Sequence, residues 1–107
     1  VFKHAITKFP AVINEVMALE GITKDQVKLV IPHQANLRIS EAVAKKMDLP
    51  MHSVVYSNIH KYGNTTSASI PIALFEAVQE GKVKKGDLIV MAAFGAGFSW
   101  GAAIYKW

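Results

Sequence analysis

The sequence predicts an α/β fold: a mixed, mostly parallel sheet with helices packed on it. Three observations lead there. Helix-like and strand-like apolar patterns alternate along the 107 residues, as they do where parallel strands are joined by right-handed helical crossovers. The stretch "LIVMAAF", residues 88–94, is wholly apolar, so both faces of that strand should be buried. Only a glycine-containing turn separates it from a last strand pattern, which calls for an antiparallel hairpin. The predicted order is α-β-α-β-α-β-β.

Each element has a local reason. Phe2, Ile6, Phe9, Ile13, Val16 and Met17 recur at helical spacing, and Gly21 suits the left-handed cap that closes such a helix. Pro10 predicts a kink there, or two short helices. Thr23 followed three residues on by Gln26 has the capping-box form and starts at most one helical turn. "VKLVIP", 27–32, reads as a short strand. Residues 36–47 read as a helix with Leu37, Ile39, Val43 and Met47 inward and Arg38, Glu41 and Lys45 outward. A turn over 49–54 leads to a second strand, "VVYS", 54–57, and then to a polar loop over 58–66. The next helix, 67–81, opens on small residues and ends at Gly81, with Pro71 in its first turn or two, where proline is tolerated. A lysine-rich turn over 82–87 precedes the closing pair of strands.

Composition bounds the function. At 51% hydrophobic residues the chain is globular, one domain or part of one. No apolar stretch approaches the ~20 residues of a membrane span, and the start lacks a signal-peptide pattern. The absence of cysteine excludes a disulfide framework, a thiolate metal site and a cysteine nucleophile supplied by this chain, and predicts a cytoplasmic, reducing setting. The net charge of +4 comes from eleven scattered lysines and one arginine against eight acids. That is not the dense basic stripe of a nucleic-acid binder. Histidines 4, 33, 52 and 60 show no metal-ligand spacing. The chain begins directly in an apolar helical pattern, as a piece of a longer protein would.

Three polar clusters hold the candidate chemistry. His33, Gln34 and Asn36 stand where a strand gives out and a helix starts, the edge at which open α/β sheets build ligand sites. Asn36 is equally a helix cap and His33 equally a satisfied turn residue. "KYGNTTSAS", 61–69, offers Gly63 for positive φ or close backbone approach, the amide of Asn64, and hydroxyls from Thr65 to Ser69. A capped helix entry explains it as well. His33 and Asn64 lie 31 positions apart, each following a strand, and parallel pairing would bring them to one sheet edge. "FGAGFSWG", 94–101, has glycines after a strand. It leads into another strand pattern and not into a helix, so a dinucleotide loop is excluded. A tight hairpin remains, or a loop whose N–H groups face a reacting carbonyl.

Together "PHQANLRI", "YGNTTSASIP" and "FGAGFSWG", in this order and spacing, resemble the C-terminal half of the β-ketoacyl-acyl carrier protein synthase III family, thiolase-fold condensing enzymes. The resemblance covers essentially the whole chain, which it makes a C-terminal thiolase-like domain over 1–107. It implies a Cys-His-Asn site in which His33 matches the histidine and Asn64 the asparagine. The cysteine belongs to an N-terminal half outside this chain. Asn36 matches a residue of the pantetheine channel, and Gln34, Ala35, Asn36, Leu37 and Arg38 match the acyl carrier protein docking segment. Ala96 takes the middle place of the family's "GGG", whose backbone N–H serves an oxyanion. The resemblance further implies acyl-CoA and malonyl-acyl carrier protein as substrates, no cofactor, and a homodimer. The alternatives are a synthase III-like enzyme of secondary metabolism and a separate, non-catalytic pantetheine-binding module.

Overall fold

Helices on both faces of a three-stranded sheet set the architecture. The computed structural model describes residues 2–95 and 99–107. Its elements are α1 (Phe2–Leu19), β1 (Val27–Pro32), α2 (Leu37–Met47), α3 (Ile59–Tyr62), α4 (Ser69–Gln79), β2 (Leu88–Gly95) and β3 (Ser99–Lys106). The strand order is β1-β2-β3, with β1 parallel to β2 and β2 antiparallel to β3. The sheet is therefore mixed, with the C-terminal hairpin in its expected place.

The core divides at the sheet. On one face Phe9, Ile13 and Met17 of α1 and Val43 and Met47 of α2 pack against Val30, Val90 and Ala92. On the other, Ala73 and Ala77 of α4 pack against Leu29, Ile31 and Ile89. Alternation along β2 follows the two-residue period of a strand. In β1 the period breaks: Val27 and Val30 share a face because the register shifts between Val27 and Leu29, and exposed Lys28 is the extra residue.

Three expectations change. The α1 helix is continuous through Pro10, which excludes the second of the two alternatives expected there, a pair of short helices. Pro10 forgoes one backbone hydrogen bond, costing roughly 3 kcal/mol, which the buried stripe Ala5, Phe9, Ile13 and Met17 on both sides of it offsets. Strand β2 is not buried on both faces to its end, since Ala93 and Gly95 are exposed. Finally, "VVYS" is no strand: Val55 makes only isolated parallel bridges, to Val30 of β1 and to Met51. Val30 N–H donates to Val54 O at 2.8 Å and Tyr56 N–H to Val30 O at 2.9 Å, and there the ladder stops.

The reason lies in Pro32. A continuing parallel ladder would need Pro32 to donate, and proline has no N–H. The side-chain amide of Gln34 substitutes for a peptide group. Its Nε2 donates to Pro32 O (2.7 Å) and Tyr56 O (3.3 Å), while its Oε1 accepts from Asn58 N–H at 3.1 Å. Gln34 is 1% exposed. One side chain thus joins the exit of β1 to the segment that leads into α3.

The hairpin strand β3 lays Ala102 and Ile104 on the α1 side, while Ala103 and Tyr105 remain exposed. Pro71 stands third in α4, where the backbone N–H groups have no intrahelical acceptor to lose. Among the described residues no helix is long and apolar enough to cross a membrane.

Candidate active site

Where β1 ends and α4 begins, a cavity of about 570 Å³ opens beside the β2–β3 hairpin. His33, Asn64 and Ser69 line it together with Phe94 and Trp100. The two residues that the sequence pattern placed at neighbouring strand exits therefore do meet in one cavity.

Each is held by its backbone and by one side-chain hydrogen bond. His33 N–H donates to Ala92 O at 2.8 Å, extending the β1–β2 pairing one residue past Pro32. Its imidazole Nδ1 lies 2.5 Å from Ser69 Oγ, the first residue of α4. Gln34 N–H donates to the same hydroxyl oxygen at 3.2 Å. Burial holds the pKa of His33 below the ordinary histidine value, so the ring is neutral at pH 7.

Asn64 sits just past α3. Its Oδ1 accepts the backbone N–H of Thr66 at 2.9 Å, an Asx turn. That contact fixes the amide plane, and among the described residues Nδ2 has no partner, so it remains a donor. The turn depends on Gly63, at φ 66° and ψ −161°, a region that is essentially glycine's alone. A Cβ there would meet nothing within 4 Å, so the requirement is dihedral and not one of close approach. Thr66 is itself at φ 54°, an unusual place for a β-branched residue.

A polar network fixes α3 on α4. Tyr56 Oη donates to Glu76 Oε1 at 2.7 Å, and Tyr62 Oη and Lys61 Nζ donate to Oε2 at 3.0 and 3.2 Å. Partial burial works to raise the Glu76 carboxyl pKa, but these three donors hold it below the usual carboxylate range. Burial, then the hydrogen bonds to Glu76 and Glu80, push the Tyr56 phenol well above its ordinary value, so it stays a donor. Phe94 and Trp100, both in the cavity lining, stack at 6.1 Å and 15°, and Phe9 meets Phe94 at 6.2 Å between ring centroids. Lys8 Nζ lies 4.8 Å from the Trp100 ring centre.

Other expected site residues fall elsewhere. Asn36 is exposed, does not line this cavity, and caps α2 by accepting from Arg38 N–H at 2.8 Å. Gln34 is inside, so its expected docking role gives way to the buried splice. Ala35 and Leu37 are half-buried and Arg38 is exposed on the first turn of α2. Ala96 lies outside the described residues. Sequence reasoning missed Ser69 as the partner of His33 and Gln34 as the link between segments. The hydroxyl run 65–69 was a visible signal, but nothing in it says which hydroxyl faces the imidazole.

Residues 17–107 match the family model described as 3-oxoacyl-[acyl-carrier-protein (ACP)] synthase III C terminal. The chain belongs to that family. Among curated members, the beta-ketoacyl-[acyl-carrier-protein] synthase III of Aquifex aeolicus is 52% identical over 106 residues, covering 99% of this chain and 34% of that protein. The synthase III of Xanthomonas axonopodis is 49% identical, covering 100% of this chain and 33% of that one. The crystal structure of the Thermus thermophilus synthase III superimposes with a TM-score of 0.96 at 42% identity, covering 100% of this chain and 33% of that chain. The chain spans about a third of the length of the synthase III relatives it matches, and its fold is that of a thiolase-like half.

Proposed function

We propose that this chain is the C-terminal part of a β-ketoacyl-acyl carrier protein synthase III and supplies His33 and Asn64 to the step that decarboxylates malonyl-thioester. One observation carries the reading. Two neutral N–H-bearing side chains, each oriented by its own hydrogen bond, line one cavity with no carboxylate among the described residues around it.

Those features suit the chemistry. When malonyl-thioester loses carbon dioxide, the bond between its α-carbon and carboxylate breaks and the electron pair passes into the thioester as an enolate. No base is required. Negative charge gathers on the thioester oxygen, where neutral donors stabilise it and a carboxylate would repel it. The enolate carbon then attacks an acyl-cysteine thioester, forming a carbon–carbon bond and releasing the thiolate. The chain holds no cysteine, so that group comes from outside these 107 residues, from the N-terminal half. The backbone N–H of Ala96 is assigned to the acyl oxyanion from the family pattern. Asn36 offers its exposed amide to the pantetheine arm, and Arg38 offers a guanidinium to an acidic acyl carrier protein. On this reading the complete protein is a cytoplasmic homodimer that takes an acyl-CoA primer and needs no cofactor.

The test uses the complete protein. His33→Ala or Asn64→Ala should lower carbon dioxide release from malonyl-thioester by ~10²–10³-fold, the usual effect of losing one such donor, and largely spare acylation of the cysteine. Arg38→Glu should raise the KM for malonyl-acyl carrier protein severalfold more than that for acetyl-CoA. Decarboxylation at the unmodified rate in either cavity variant would refute the oxyanion role.

A further inference from the structure

The hydrogen bonds at Ser69 decide which nitrogen of His33 carries the proton. Gln34 N–H donates to Ser69 Oγ at 3.2 Å, and a backbone N–H can only donate, so one lone pair of the hydroxyl is occupied. His33 Nδ1 lies 2.5 Å from the same oxygen. Ser69 is 2% exposed, and among the described residues its O–H has no acceptor besides Nδ1. Were Nδ1 protonated, Ser69 would receive two donors and its own proton would be left unpaired in the interior, which folded proteins avoid. The satisfied arrangement runs one way, from Gln34 N–H to Ser69 Oγ and from Ser69 O–H to His33 Nδ1. The ring proton is then on Nε2.

We propose that Ser69 is a positioning residue that locks His33 as its Nε2–H tautomer, relaying the direction of the Gln34 peptide N–H to the imidazole. The inference rests on the decarboxylating role proposed for His33 and adds the group that makes this imidazole a donor toward the cavity. Burial keeps the ring neutral, so the tautomer, and not the charge, is what Ser69 controls. The same bond orients the ring plane, as outer partners of working histidines do.

The complete enzyme, labelled with ¹⁵N-histidine, tests this by two-bond ¹H–¹⁵N correlation, which distinguishes protonated from unprotonated ring nitrogens. His33 should show an unprotonated Nδ1 and a protonated Nε2, and Ser69→Ala should shift the pattern toward a mixture. The same variant should lose about 10–100-fold in kcat for malonyl-thioester decarboxylation, by analogy with removal of the hydrogen-bond partner of a metal-ligating histidine, at nearly unchanged KM. Ser69→Thr, which keeps the hydroxyl, should recover both the tautomer and most of the rate. A protonated Nδ1 in the unmodified enzyme overturns the proposal without any variant having to fold. An unchanged tautomer in Ser69→Ala overturns it as well. If His33→Ala decarboxylates normally, the proposed function fails instead, and the tautomer measurement still judges Ser69.

Discussion

The buried Gln34 amide makes three hydrogen bonds to backbone groups of the β1 exit and of the segment leading into α3. Gln34→Leu puts an apolar side chain of broadly similar volume in its place and deletes three hydrogen bonds, those to Pro32 O, Tyr56 O and from Asn58 N–H. These groups are buried with Gln34, and an unsatisfied buried backbone group costs about 1–3 kcal/mol. The 3.3 Å bond to Tyr56 O is the weakest of the three, so the expected loss is about 3–5 kcal/mol in total. Against a typical stability of ~5–15 kcal/mol, that is a large fraction. In urea denaturation of the complete protein, with a slope of about 1–3 kcal/mol/M, the midpoint should fall by ~1 M or more. Gln34→Glu separates bonding from shape. It keeps an acceptor for Asn58 N–H but turns an oxygen toward two carbonyls, so it should be as damaging as leucine at pH 7. Its penalty should shrink in acid, because a protonated carboxyl regains one donor. A loss under about 1 kcal/mol for Gln34→Leu would refute the claim that this side chain replaces a segment of backbone ladder.

Gly63→Ala should destabilise the protein by about 1–3 kcal/mol, since alanine does not tolerate the glycine-only dihedrals that place Asn64. Its decarboxylation kcat should fall further than its KM changes, and wild-type kinetics would show that Asn64 is positioned otherwise. For His33, the imidazole titration followed by NMR should have its midpoint below the ordinary value, because burial disfavours the charged ring. Below about pH 6.5 the unfolded chain then takes up this proton first, so stability falls as the pH drops, until the folded form titrates too. A midpoint at or above that of an exposed histidine would contradict the burial.

How much of the fold and the site was readable beforehand depends on the range of the interactions. The α/β class, the closing hairpin and the α2 helix follow from periodicity, turn chemistry and element order. All of these act between residues close in sequence or across regular pairing. The three motifs carried the family for the same reason, because each is a short local run. His33 and Asn64 do share a cavity, although the strand expected to carry Asn64 to that edge does not form. The misreadings share a different cause. "VVYS" has strand composition, yet whether it pairs depends on Pro32 lacking an N–H and on Gln34 taking over the ladder, 22 to 24 residues away. Pro10 breaks a helix in isolation, but here buried contacts on both sides of it keep α1 whole. The sequence alone determined which residue types gather at the sheet edge. Only the tertiary structure decided that Ser69, 36 residues from His33, meets its Nδ1 and that Gln34 turns inward, because hydrogen-bond partners across a fold are set by packing distances that no local pattern encodes.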